Sequence, residues 1–426
     1  MTLPGAPYLA RESGELRLEG HALADLAARF GTPLYVYSRA AMRDAFQAYE
    51  RALQGRRHLV CYAMKANSNL AVLQTFAQAG AGFDIVSGGE LARVLAAGGD
   101  ASRVVFSGVG KTRAEMRQAL QAGVRCFNVE SQAELDTLNA EALALGCRAP
   151  VSLRVNPDVD AGTHPYISTG LKGNKFGIAH GQALAAYRHA AALPGLHVLG
   201  IDCHIGSQIT QLAPYLDALD RLLDLVEEVE AAGIPIHHVD VGGGLGITYT
   251  DETPPVASEM VKALLQKLDA RGHGHRDLLF EPGRSLVGNA GVLVTEVLVL
   301  KPGQVDDGGR NFCIVDAAMN DLMRPALYDA WMRIEACVQR SDVAPHTWDV
   351  VGPVCESGDW LGRDRRLAVE CGDKLVVLSA GAYGMAMASN YNTRPRAAEV
   401  MVDGPRVHLV REREDVRALF AGERLL

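Results

Sequence analysis

The sequence predicts an α/β protein, a (β/α)8 TIM-like barrel joined to a second, mostly antiparallel β domain, and three observations carry that expectation. Eight short apolar runs of strand length alternate with helix-period stretches over residues 37–285, the spacing of βα units in a closed barrel. The helical stretches stop at glycines, namely Gly80, Gly98, Gly123, Gly146 and Gly233, where a left-handed C-terminal cap is wanted. From Leu286 onward the period changes to short strand-like runs parted by Gly/Asp turns. An open doubly wound sheet, the competing architecture, would not need eight evenly spaced parallel strands.

Residues 1–36 carry turn glycines at Gly5, Gly14 and Gly20 and read as a small strand-rich arm, which belongs with 286–426 in the β domain. Helix spacing runs from Ala40 to Ala52. The barrel strands are expected at 59–64, 83–86, 104–107, 126–129, 151–156, 198–204, 238–241 and 278–281. Helical patterns at 91–95, 115–121, 133–145, 215–232 and 257–268 separate them. Beyond the barrel, strands are expected at 292–300, 311–315, 375–378 and 406–410, with turns at Asp306-Asp307-Gly308-Gly309 and Gly372-Asp373.

A chain of 426 residues exceeds the usual single-domain size, so two domains with sizeable cores are the prior. Its 48% hydrophobic and 22% charged residues are an ordinary soluble balance. Net charge is −8 with no dense Lys/Arg run, which argues against nucleic acid and anionic membrane as partners. The most apolar run, 292–300, is broken by Thr295 and Glu296 and is too short to span a bilayer. Residues 1–14 have neither a basic nor an apolar signal region, so no secretory signal is expected. Eight cysteines sit singly, which fits reduced thiols in a cytoplasmic protein rather than a zinc ribbon or a disulfide framework.

In such a barrel the strand C-termini converge on one mouth, and the chemistry-bearing residues fall there. Lys65 ends the first strand in Tyr62-Ala63-Met64-Lys65-Ala66-Asn67, and Asp84 lies on the second. A partly desolvated lysine is a nucleophile toward a carbonyl. The seventh strand runs into Gly242-Gly243-Gly244-Leu245-Gly246 and the eighth into Glu281-Pro282-Gly283-Arg284, the place where barrels build a phosphate cradle from backbone N–H groups. Glu281, at the end of an apolar strand, must be paired or protonated, and could hold a proton on a ring nitrogen. His204 could stack on an aromatic ring or be a satisfied core histidine. His237 and His238 point to opposite faces of a strand, so no metal is expected. A Schiff-base lysine, a phosphate cradle and an acid for a ring nitrogen together specify pyridoxal 5′-phosphate.

These motifs, with His204-Ile205-Gly206-Ser207-Gln208, resemble those of the fold-type III, alanine-racemase-like pyridoxal-phosphate decarboxylases, in order and spacing over nearly the whole chain. His164-Pro165-Tyr166-Ile167-Ser168-Thr169-Gly170, Lys175-Phe176-Gly177, Met323-Arg324-Pro325-Ala326-Leu327-Tyr328, Cys355-Glu356-Ser357-Gly358-Asp359 and Gly381-Ala382-Tyr383-Gly384 extend the likeness. The resemblance implies that Lys65 holds the cofactor, Glu281 pairs with the pyridine nitrogen and His204 stacks on the ring. It implies that Ser207, Gly244, Gly283 and Tyr383 contact the phosphate, with Asp84, Gly243, Pro282 and Arg284 in the same cofactor site. Arg284, Arg324, Tyr328, Glu356 and Tyr383 would bind substrate, and Cys355 would be the proton donor, reaching the active site of the partner in a homodimer. A thiol ordinarily ionises near pH 8.5, so it is a usable acid at neutral pH. Two arginines and a glutamate suit a substrate with a second amino-acid end. Decarboxylases of ornithine, arginine, lysine or carboxynorspermidine remain the alternatives within the family.

Overall fold

Eight parallel strands close on themselves: His58–Ala63, Gly82–Ile85, Val104–Phe106, Cys126–Val129, Ala149–Asn156, Leu196–Asp202, His238–Asp240 and Asp277–Phe280. Each pairs with the next, and the eighth returns to the first through Leu278 opposite His58. The computed structural model describes residues 3, 5–164, 167, 169–170, 174–303 and 309–426. Pro165, Tyr166 and Ser168 of the 164–170 motif, and Asp306, Asp307 and Gly308 of the expected turn, lie outside the described residues.

The chain divides into two compact units. The barrel unit comprises Arg43–Gly246 and Thr253–Ser285. Its strands are apolar because both faces are covered, one by side chains filling the barrel and one by helices. Leu59, Cys61, Val105, Cys126 and Leu279 form one buried cluster. Polar residues directly after the strands or turns cap the helices that return. Ser87 accepts from Glu90 N, Ser131 from Glu134 N, and Thr112 forms a reciprocal capping box with Glu115. At the other ends, all five expected glycines take positive φ, between 67° and 85°. Glycine adopts that conformation without the Cβ strain that any other residue would carry.

The second unit comprises Met1–Met42, Ile247–Glu252 and Leu286–Leu426. Its spine is the long strand Gly291–Lys301, which pairs antiparallel with Leu34–Ser38, Phe312–Val315 and Lys374–Val377. Two pairings are parallel, Leu34–Ser38 with Ala398–Asp403 and Phe312–Val315 with His346–Val351, so the sheet is mostly, not wholly, antiparallel. The N-terminal arm holds three short strands and also the helix Leu23–Phe30, which the strand-rich expectation left out. Leu23, Leu26 and Ala27 bury one face of that helix at three- and four-residue spacing. The strand Trp360–Leu367 was also missed, because Arg363-Asp364-Arg365-Arg366 reads as a solvated charge run. Arg365 is in fact buried, with its guanidinium 4.0 Å from the Trp331 ring centroid. Among the described residues, no helix is long and apolar enough to cross a membrane.

Leu279 is fully buried inside the barrel. Leu279→Ala is expected to lower the unfolding free energy by about 2–5 kcal/mol, the usual cost of such a cavity, in a urea titration followed by circular dichroism.

Candidate active site

The first strand stops at Ala63, and a single 3-10 turn, Met64–Ala66, lifts Lys65 onto the barrel rim. Ala63 N–H donates to the Pro282 carbonyl at 3.0 Å, and the Tyr62 hydroxyl donates to the Asn67 carbonyl at 2.8 Å, so both sides of the turn are pinned. Lys65 is 38% exposed at its side chain, whereas Asp84 on the neighbouring strand is wholly buried. Lys65 Nζ donates to Asp84 Oδ2 at 2.6 Å. The other Asp84 oxygen, Oδ1, has no hydrogen-bond partner among the described residues. A buried carboxylate that meets one ammonium and little else holds that ammonium where it is.

Glu281 follows the eighth strand and is buried. Asn128 Nδ2 donates to its Oε1 at 3.1 Å, and Ser107 Oγ lies 3.5 Å from the same atom. Carboxylate oxygens of Asp202, Asp240 and Glu281 lie within 4.8 Å of one another. Burial raises the Glu281 carboxyl well above the usual range, and the charges of Asp240, Asp84 and Asp202 add to that, with Lys65 opposing. Asp202 and Asp240 are raised for the same first reason, burial. Buried acids this close share protons instead of ionising together. Sequence reasoning missed Asn128 and Ser107 as partners of Glu281. The available signal was a polar residue at the C-terminal end of an otherwise apolar strand, in Cys126-Phe127-Asn128-Val129 and Val104-Val105-Phe106-Ser107.

His204 lies just past the sixth strand, which ends at Asp202. Gly243 N–H donates to its Nδ1 at 3.2 Å. A ring nitrogen that accepts carries no proton, so the imidazole is neutral with its hydrogen on Nε2. Burial first, then the charges of Arg154 and Lys65, push its pKa well below the usual value. Arg154 NH1 is itself paired with Glu130 Oε1 at 3.0 Å, a partner the sequence reading did not name.

The glycine run has steric reasons for its composition. A Cβ on Gly242 would meet the Cys203 carbonyl oxygen, one on Gly243 the Glu281 carbonyl oxygen, and one on Gly244 the Gly206 carbonyl oxygen. Gly242 and Gly244 also take positive φ, 68° and 98°. Glu281 N–H donates to the Gly242 carbonyl at 2.7 Å, which ties the seventh-strand loop to the eighth strand. Gly283 leaves room beside Ala63, whose carbonyl oxygen would lie 3.0 Å from a Cβ there. Arg284 Nε and NH2 reach Ser207 Oγ at 3.3 and 3.0 Å. The barrel unit therefore gathers Lys65, Asp84, His204, Ser207, Gly243, Gly244, Glu281, Pro282, Gly283 and Arg284 at the C-terminal ends of its strands.

Arg324, Tyr328, Cys355, Glu356 and Tyr383 belong to the second unit. Arg324 is buried at the start of the helix Arg324–Tyr328, with its guanidinium 4.8 Å from the Tyr249 ring centroid. Cys355 and Glu356 are exposed, in the loop between two strands of the sheet. Tyr383 holds φ 55°, a left-handed conformation that costs a non-glycine residue energy and persists only where surroundings impose it.

The barrel donor set fits pyridoxal 5′-phosphate: an accessible amine on a buried carboxylate, an uncharged imidazole, a buried acid, and hydroxyl and guanidinium groups beside glycines that bring backbone close. The model of the pyridoxal-dependent decarboxylase family, pyridoxal binding domain, matches residues 39–288. A diaminopimelate decarboxylase of Pseudomonas aeruginosa is 61% identical over 412 residues, which cover 97% of each chain. Among solved structures, diaminopimelate decarboxylase from M. jannaschii in co-complex with L-lysine is 38% identical with a TM-score of 0.94, covering 100% of this chain and 99% of that one. Lysine decarboxylase from Selenomonas ruminantium is 26% identical with a TM-score of 0.81, covering 91% and 97%.

Asp240 retains its proton in the folded state to a higher pH than in the unfolded chain. That contribution to stability is complete below the ordinary carboxylate range and is lost as pH rises through the folded value. Asp240→Asn removes the titration and keeps an oxygen for Gly242 N–H, which Asp240 Oδ1 accepts at 2.9 Å. The variant is expected to gain stability relative to the parent as pH rises from about 4 toward neutrality, read by urea unfolding of the cofactor-free protein.

Proposed function

This chain belongs to the pyridoxal-dependent decarboxylases, and we propose that it converts meso-2,6-diaminopimelate to L-lysine and carbon dioxide, the last step of lysine biosynthesis. It is a pyridoxal-phosphate-dependent carboxy-lyase. The observation that carries the reading is Lys65, held at the barrel rim against the buried Asp84, with a neutral histidine and a buried acid just past the sixth and eighth strands. When bound, pyridoxal phosphate supplies an electron-poor ring that accepts the pair released as carbon dioxide departs.

Lys65 is the amine that would hold the cofactor through its aldehyde group, with Asp84 orienting it. As a carboxylate, Glu281 would hold a proton on the ring nitrogen, and the negative charges of Asp240, Asp84 and Asp202 near it favour a cation there. His204 offers an uncharged ring, so it adds no second cation beside that nitrogen. Ser207, Gly244, Gly283 and Tyr383 would hold the phosphate, with Gly243, Pro282 and Arg284 in the same cofactor site. Arg284 and Arg324 read the distal carboxylate by paired N–H donors, Tyr328 and Tyr383 line the substrate, and Glu356 reads the distal ammonium. Cys355 delivers the proton to the carbon that carbon dioxide leaves, reaching the active site of its partner in a homodimer. The enzyme works in the cytoplasm, as its unpaired thiols suit.

Lys65→Ala is expected to abolish both visible cofactor absorbance and turnover; a coloured, active variant would refute the assignment. Carbon dioxide release is expected from diaminopimelate and not from ornithine, arginine, lysine or carboxynorspermidine. Arg324→Leu is expected to weaken diaminopimelate binding at least tenfold with cofactor affinity unchanged, followed by titration of the bound-cofactor absorbance.

A further inference from the structure

Tyr215 lies in the first turn of the helix Ala213–Ala231, which returns the chain from the sixth strand to the seventh. Tyr215, Ala218, Leu219 and Leu222 recur at three- and four-residue spacing and form the buried face of that helix. A buried tyrosine brings a hydroxyl with it, and a phenol that finds no partner there costs free energy. The Tyr215 hydroxyl donates to the Gly243 carbonyl at 3.2 Å. Burial pushes that hydroxyl well above its usual range, so it keeps its proton and stays a donor at neutral pH.

That bond falls on the glycine loop after the seventh strand. Neither glycine at its centre can carry a side chain, because a Cβ on Gly243 would strike the Glu281 carbonyl and one on Gly244 the Gly206 carbonyl. Glycine backbone is permissive, so the loop's orientation must be set by partners outside it. Both backbone groups of Gly243 have one: its N–H donates to His204 Nδ1 at 3.2 Å, and its carbonyl accepts from Tyr215. The Gly244 carbonyl accepts from Ile209 N–H at 2.9 Å, and Gly246 N–H returns a bond to the Ile209 carbonyl at 2.9 Å. The peptide joining Gly243 to Gly244 is trans, so its N–H points away from its carbonyl. A donor that draws the Gly243 carbonyl one way therefore turns the Gly244 N–H the other way. Among the described residues that N–H donates to nothing, as a group meant for an outside anion requires.

We propose that Tyr215 is a positioning residue for the phosphate site: its hydroxyl fixes the Gly243–Gly244 peptide from the helix side, so that the Gly244 N–H is presented to the cofactor's phosphate. It acts through Gly243 and not by touching the cofactor. The inference rests on the reading that the phosphate is held by Ser207, Gly244 and Gly283, and it names what aims one of those donors. A tyrosine that merely satisfied its own hydroxyl would add to stability and leave the recognition of phosphate as it is.

Tyr215→Phe removes the hydroxyl and keeps the buried ring, so the helix keeps its packing. The full chain, stripped of cofactor, is titrated with pyridoxal 5′-phosphate and separately with pyridoxal, which has the same ring and aldehyde but no phosphate. Both titrations are followed by the absorbance of the bound form. Tyr215→Phe is expected to weaken pyridoxal phosphate about three- to tenfold, the loss of one hydrogen bond, and to leave pyridoxal within about twofold of the parent. A loss for pyridoxal as large as that for pyridoxal phosphate, or parental affinity for pyridoxal phosphate, overturns the proposal. Ser207→Ala tests the underlying reading with the same two ligands. Parental affinity for pyridoxal phosphate in Ser207→Ala would take the phosphate away from that residue. A selective loss in Ser207→Ala beside a silent Tyr215→Phe would remove Tyr215 alone.

Discussion

The position of one ammonium group governs what this barrel can do, and a carboxylate with almost no other partner sets it. Asp84 is wholly buried, and Lys65 Nζ lies 2.6 Å from it while the rest of the lysine side chain stays partly in water. Burying an ion without a counterion costs several kcal/mol, so a charged Asp84 favours having that amine in reach. The 3-10 turn at Met64–Ala66, the glycines at the seventh strand and the Pro282 carbonyl all serve the same local geometry.

The second constraint follows from counting charge around that pair. Asp84, Asp202, Asp240 and Glu281 occupy one end of the barrel, yet Arg154 is paired with Glu130. Lys65 cannot neutralise four acids, and protons must make up the difference. The neutrality of His204 belongs to the same balance, because a Gly243 N–H directed at Nδ1 favours the uncharged ring. A barrel that retains protons on acids and withholds them from its histidine is prepared for a ring that must stay cationic at nitrogen.

Much of this was legible in the chain because barrel geometry turns sequence order into position. Eight strands and their C-terminal residues could be placed from periodicity alone, so Lys65, Asp84, His204 and Glu281 fell together without any contact being known. Periodicity could not supply partners across the barrel. Asn128 and Ser107 meet Glu281 from strands four and three, a relation that no local pattern encodes. The β unit was less legible for a different reason. Trp360–Leu367 is a strand in which Arg365 is buried with its guanidinium over the Trp331 ring. Tertiary contact there overrides local propensity.

The division of labour between the two units bears on how such a protein changes substrate. A relative named for lysine keeps the fold at 26% identity, so the scaffold tolerates wide substitution. On the proposed reading, the barrel unit supplies the chemistry that any decarboxylase of this kind needs, while the substrate's far end is read by Arg324, Tyr328, Glu356 and Arg284. Arg324 is buried, and on the proposed reading its guanidinium binds the substrate's distal carboxylate. A substrate ending in an ammonium alone forfeits that pairing and adds like-charge repulsion. Discrimination therefore arises as much from what Arg324 rejects as from what it binds.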